Sequence, residues 1–100
     1  MSRILEKHGA RVETIRAYLN DCDICASRGD YDGAGECAIA AMSMADIGYS
    51  LASELAEIVG EKSLEAAAVW HGFVEIYDEL ESAAQGILSD CEMILGDYGD

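Results

Sequence analysis

Three of the four cysteines, Cys22, Cys25 and Cys37, lie in the stretch DCDICASRGDYDGAGEC, interleaved with Asp21, Asp23, Asp30, Asp32 and Glu36. Thiols and carboxylates at this density can bind a metal, form a redox pair, or divide into buried sulfur and exposed charge. Cys22-x-x-Cys25 has the spacing of the first two, but a zinc ribbon needs a second such pair on a turn, and a thioredoxin-like pair follows a strand. Neither context surrounds it. A calcium loop read through Asp30, Asp32 and Gly33 puts Arg28 at the first ligand position and Ile39 where a bidentate Glu belongs. A start at Asp21 puts Ala26 at the required glycine and fails as well. A di-iron bundle needs Glu-x-x-His on facing helices, whereas His71 precedes Glu75 in the reverse order and only His8 remains. With no Gly-x-Ser-x-Gly elbow and no phosphate-binding glycine loop, the chain reads as a non-enzyme that uses no metal or other cofactor.

The elements that must position these residues are helices. Apolar and small residues recur at steps of three and four, beginning with Leu5, His8, Val12, Ile15, Leu19, Cys22 and Ala26. Arg28-Gly29-Asp30 then stops one helix and caps the next: Gly supplies a left-handed turn and Asp30 an acceptor for free backbone N–H groups. The second segment carries two adjacent rows. One is Gly35, Ala38, Met42, Ala45, Tyr49, Ala52, Ala56 and Val59; the other is Cys37, Ala41, Met44, Gly48, Leu51, Leu55 and Ile58. Together they form the wide apolar face of a helix packed against two neighbours, with Gly48 a candidate kink. Gly60 ends this segment and Ser63 caps a third, whose row is Ala66, Trp70, Phe73, Tyr77, Leu80, Ala84, Ile87, Cys91 and Ile94, ending at Gly96 before a frayed tail. Large aromatics on the third row face small residues on the second, as a packed core requires. Segments of about 26, 28 and 32 residues, roughly 40 to 48 Å long at 1.5 Å per residue, have matched lengths. Short turns between them predict a single all-α domain over residues 1–100, an antiparallel three-helix bundle of long helices.

In such a bundle Cys22 lies level with Cys37, and Cys91 with residue 32, so all four thiols fall within about two helical turns of one end. A four-thiolate zinc site is within geometric reach there. The cysteines also sit on the apolar rows, where free Cys behaves as a small hydrophobe, and inward-facing core thiols are the reading adopted. His8 and His71 fall near the other end, as ordinary helix-face residues.

One hundred residues with 51% apolar character and no proline suit one compact domain. No apolar run approaches the 18 or so residues of a membrane span, and MSRILEKHG carries charge where a signal peptide is apolar, so a cytoplasmic location with reduced thiols is expected. The net charge is −14, from 20 acids and 6 bases. Five of the bases stand in residues 1–28, and Lys62 alone follows. Asp21, Asp23, Asp30, Asp32, Glu36, Asp90 and Glu92, with Asp97 and Asp100, crowd the cysteine end, where Tyr31 and Tyr98 are candidate aromatic anchors. Such a field repels nucleic acid and anionic membrane and attracts basic protein surfaces, including those built to hold phosphate backbones. The expected partner is a basic nucleic-acid-binding protein or complex, met without direct contact to nucleic acid or membrane. The chain itself is expected to be a monomer or homodimer.

In size, acidity, helical content and lack of catalytic groups, the chain resembles the small phage-borne anti-CRISPR inhibitors. That resemblance implies a stoichiometric inhibitor, acting in the host cytoplasm, whose carboxylates meet Lys or Arg of a CRISPR surveillance complex otherwise used for target DNA. Residues 18–51 are also similar to a helical-hairpin domain of unknown function common in archaea, through Tyr18, Leu19, Asp21, Gly29, Asp30 and Asp46. This second likeness implies a cytosolic helical adaptor without catalytic activity.

Overall fold

The first reversal of the chain is fixed by backbone chemistry at Gly29. It is the one residue with positive φ among those described, at 79°. The Gly29 N–H bonds the Ala26 carbonyl at 3.0 Å and the Asp30 N–H bonds the Cys25 carbonyl at 2.8 Å, the paired closure of a Schellman turn. Asp30 then faces forward: its carboxylate accepts from the Gly33 N–H at 2.9 Å. A Cβ on Gly33 would strike that carboxylate, so glycine three residues after the cap lets the side chain fold over the helix end. The second reversal uses no left-handed residue. The Val59 carbonyl accepts from both Lys62 and Ser63, and the Ser63 hydroxyl caps Ala66 at 3.2 Å.

In the computed structural model these turns separate α1 (Ser2–Ser27), α2 (Tyr31–Gly60) and α3 (Leu64–Gly99), an up-down-up bundle with no strand among the described residues. The backbone is described for residues 2–99 and side-chain burial for residues 3–96; Asp100 and the side chains of Asp97 and Tyr98, all assigned above to the acidic end, lie outside the described residues. Gly96 does not end α3, which runs on to Gly99. A helical glycine costs roughly 1 kcal/mol but stops a helix only where it turns left-handed, which Gly96 does not.

α2 is the central helix and packs along both neighbours, whereas α1 and α3 meet over a much smaller area. The Cα trace spans 56 × 20 × 14 Å with a radius of gyration of 16.0 Å, against roughly 13 Å for a compact 100-residue domain. The core is a heptad ladder: His8, Ile15 and Cys22 on α1, Ala34, Ala41 and Gly48 with Ala38, Ala45 and Ala52 on α2, and Trp70, Tyr77, Ala84 and Cys91 on α3, all buried. A strict seven-residue repeat keeps one seam facing the neighbour only if the helices wind gently left-handed about each other. Tyr49, Leu51 and Ile58, assigned to the α2 apolar face, are instead exposed. Beside Leu51 and Ile58, α1 presents Ile4 with Lys7 and Arg11, too little apolar cover to close them off, and a groove stays open.

α2 runs unbroken through Gly48, which makes room for a neighbour. A Cβ there would collide with the Tyr77 ring, which fills the notch. The Tyr77 hydroxyl reaches His8 Nδ1 at 2.7 Å and also lies 3.4 Å from the His8 carbonyl. Arg11 Nη1 stands 3.4 Å from the same Nδ1. A guanidinium only donates, so Nδ1 is the unprotonated nitrogen, accepting from Tyr77 and Arg11. The His8 ring packs against Trp70, Phe73 and Tyr77 with centroids 5.1, 5.4 and 5.8 Å away.

Two predictions follow from this packing. Gly48→Ala forces the Tyr77 ring from its notch and is expected to destabilise by about 1–3 kcal/mol, while Gly86→Ala, whose added methyl meets nothing, is expected to stabilise by up to about 1 kcal/mol. Thermal melts of the two variants should move in opposite directions. Burial, then the Arg11 guanidinium, hold the His8 pKa below its ordinary 6.5. The unfolded chain therefore binds that proton more tightly, so this contribution to stability is full above pH 6.5 and is lost as pH falls below it. The melting temperature should drop across that window, and His8→Gln should flatten the drop.

Candidate protein-binding site

The cysteine end is built in layers. Cys22 is fully buried where α1 faces both other helices, and its thiol donates to the Ala34 carbonyl at 3.3 Å, within the first turn of α2. Burial, reinforced by the nearby Cys37 and Cys91 thiols, pushes its pKa up to about 11. Cys91 is buried on α3, and burial with the adjacent Asp90 raises its pKa too. Cys25 and Cys37 are half-buried; the Cys37 pKa is raised by burial, then by the neighbouring Cys25 and Asp21. The four thiols thus gather at one end as the bundle geometry requires. Among the described residues, however, no three His, Cys, Asp or Glu side chains converge on a metal position. Cys22 and Cys91 point into the core, which leaves the four-thiolate arrangement unformed.

The acids surround this sulfur layer on the outside. Asp21, Asp23, Asp30, Asp32, Glu36, Asp90 and Glu92 are all exposed. The one ion pair among the described residues joins Glu13 to Arg16 at 3.8 Å, on the solvent side of α1. None of the seven acids is neutralised by a neighbouring base, so their field reaches solvent intact.

A groove of about 330 Å³ between the start of α2 and the end of α3 sorts these residues. Tyr31, Asp32, Glu36 and Ile39 line it from α2, and Leu88, Cys91, Glu92 and Leu95 from α3. Gly35 lies at its floor, where a Cβ would sit 3.7 Å from Leu88 Cδ1. Four of the expected site residues, Tyr31, Asp32, Glu36 and Glu92, are therefore brought together around an apolar floor. Asp21, Asp23 and Asp90 stand outside the lining, and Asp30 is engaged in capping α2.

The sequence reading missed the floor. Ile39 is 53% exposed, and Leu88 and Leu95 flank the core row Ala84–Cys91 rather than joining it. Their signal is large aliphatics off the buried rows, two of them seven residues apart on α3. Among the described residues no helix is long and apolar enough to cross a membrane.

The sulfur layer can be checked by alkylation of the native protein near pH 8, followed by peptide mass spectrometry. Cys22 and Cys91 are expected to react at least tenfold more slowly than in denatured chain, and Cys25 first among the four. No protein-family model, curated protein or solved structure matches the chain.

Proposed function

We propose that this chain is a non-catalytic inhibitor that binds a basic, nucleic-acid-handling protein surface through its cysteine end. The groove is its centre. The observation that carries the reading is the pairing, in one place, of unneutralised carboxylates with apolar surface. Asp32, Glu36 and Glu92 rim a floor of Ile39, Leu88 and Leu95, with Tyr31 at the edge. Carboxylates alone steer association and set its salt dependence, whereas desolvated aromatic and aliphatic anchors supply residence time. A surface made for DNA or RNA offers the complement, because its Lys and Arg are spaced to meet successive phosphates. Occupying it excludes nucleic acid by competition, the mode implied by the likeness to anti-CRISPR proteins; a CRISPR surveillance complex is the partner this reading favours.

The test is retention of proteins from the native host on immobilised chain at low salt, with identification of what is bound. A basic nucleic-acid-binding protein should be retained, released by salt and displaced by DNA. The triple change Asp32→Asn, Glu36→Gln and Glu92→Gln should weaken retention at least tenfold without altering helical content. Asp30 is left intact in this variant, since removing the cap costs about 1 kcal/mol of stability and would confound the result. Retention that DNA and salt leave unchanged, or that survives the triple change, overturns the proposal.

A further inference from the structure

The opposite end of the bundle carries a second groove, of about 360 Å³, between α1 and α2. Its walls are Ile4 from α1 and Leu51, Leu55 and Ile58 from α2, with Lys7 and Arg11 along the α1 rim. Three of the four aliphatics are exposed, Ile58 by 62%, so the chain itself leaves this apolar surface uncovered. Two of the six bases in a chain of net charge −14 stand at this one groove. Glu54, on the α2 rim, forms no ion pair with either of them among the described residues. The volume sits at the lower edge of small-molecule sites, roughly 300–1,000 Å³, which are mostly apolar with a few convergent polar groups.

We propose that this groove binds a single-chain organic anion, a carboxylate carrying an apolar tail of fatty-acid type. The carboxylate lies against Lys7 and the Arg11 guanidinium, which presents planar paired donors suited to it. The tail runs along Leu51, Leu55 and Ile58. Charge complementarity decides the class of ligand: a cationic amphiphile would meet two bases against the single carboxylate of Glu54, and a neutral one would leave both bases unused. A membrane is disfavoured as the source of the anion, because the rest of the surface repels an anionic bilayer. The site is independent of the acid-rimmed groove at the other end.

The structure supplies a reporter. Trp70, the sole tryptophan, has its ring 5.1 Å from that of His8, a residue of the groove lining. Titration of the intact protein with decanoate, below its micelle concentration, should give saturable one-to-one binding by calorimetry and a change in Trp70 emission. Decyltrimethylammonium should bind at least tenfold more weakly. Lys7→Gln and Arg11→Gln together should weaken decanoate at least tenfold. Glutamine retains a donor for His8, and Lys7→Gln alone, at an exposed position, should show a partial loss of about threefold even if the double variant folds poorly. Ile58→Asp, also exposed, should weaken binding with helical content unchanged. The proposal is overturned by absence of saturation, by equal binding of the anionic and cationic chains, by indifference to all three variants, or by sedimentation of the protein with phosphatidylglycerol vesicles in place of monomer binding.

Discussion

Tyr77 is where the three helices are tied to one another. Its ring occupies the notch at Gly48 on α2, its hydroxyl reaches His8 on α1, and it belongs to the buried heptad row of α3. The notch at Gly48 sets α3 against α2, but the α1 row is more permissive, because a slip of seven residues brings Ile15 to the place of His8. The His8–Tyr77 hydrogen bond is not permissive. A slipped register would leave a buried imidazole nitrogen and a buried hydroxyl without partners, at about 1–3 kcal/mol each. One polar pair thereby selects a single alignment of α1 with α3 that hydrophobic packing alone would not distinguish, the same device as a lone polar residue in a coiled-coil seam.

Charge is organised around that neutral ladder. The buried titratable groups, His8, Tyr77, Cys22 and Cys91, are all held toward their uncharged forms by burial. The acids stand outside, where water screens them and where Asp30 and Asp32 sit favourably at the positive end of the α2 dipole. Concentrating unpaired carboxylates at one end carries a cost in self-repulsion that the core must offset. Four of the six bases, Arg3, Lys7, Arg11 and Lys62, stand at the other end among Glu6, Glu54, Glu57, Glu61 and Glu65, so the charge is mixed there and uniformly acidic at the cysteine end. Each end holds an inter-helix groove, one rimmed by Asp32, Glu36 and Glu92 and the other by Lys7 and Arg11 with Glu54 opposite.

Helix positions and caps were legible in the sequence because they depend on near neighbours. Three-four spacing marks a helix within a dozen residues, and Gly29, Asp30 and Ser63 act within one turn of where they stand. What depended on a distant partner was harder to read. Gly48 stands among small residues with nothing local to say that Tyr77, 29 positions on, fills the notch it leaves. Leu51 and Ile58 lie on the correct row, but a row says which way a side chain faces, not whether the neighbour brings apolar cover. His8 reads as an ordinary helix-face residue, since nothing local announces an aromatic cage contributed by α3. The acids of the cysteine end were plain from composition. The floor between them, Ile39 with Leu88 and Leu95, exists only once two helices are set side by side.

The unequal sharing of the core has a consequence for the order of assembly. Both turns are three residues long, Arg28 to Asp30 and Glu61 to Ser63, but α2 shares far more surface with α3 than with α1, so the α2–α3 hairpin gains more on closing. The α1–α3 tie spans 69 positions of sequence, and loop closure delays such contacts. The α2–α3 hairpin is thus the natural foldon and α1 the late arrival, held by less shared surface and the first to leave in a local opening. The base-rimmed groove exists only while α1 is docked. Whatever occupies it shifts that docking equilibrium by mass action, so the integrity of the first helix and the occupancy of its groove become a single thermodynamic quantity.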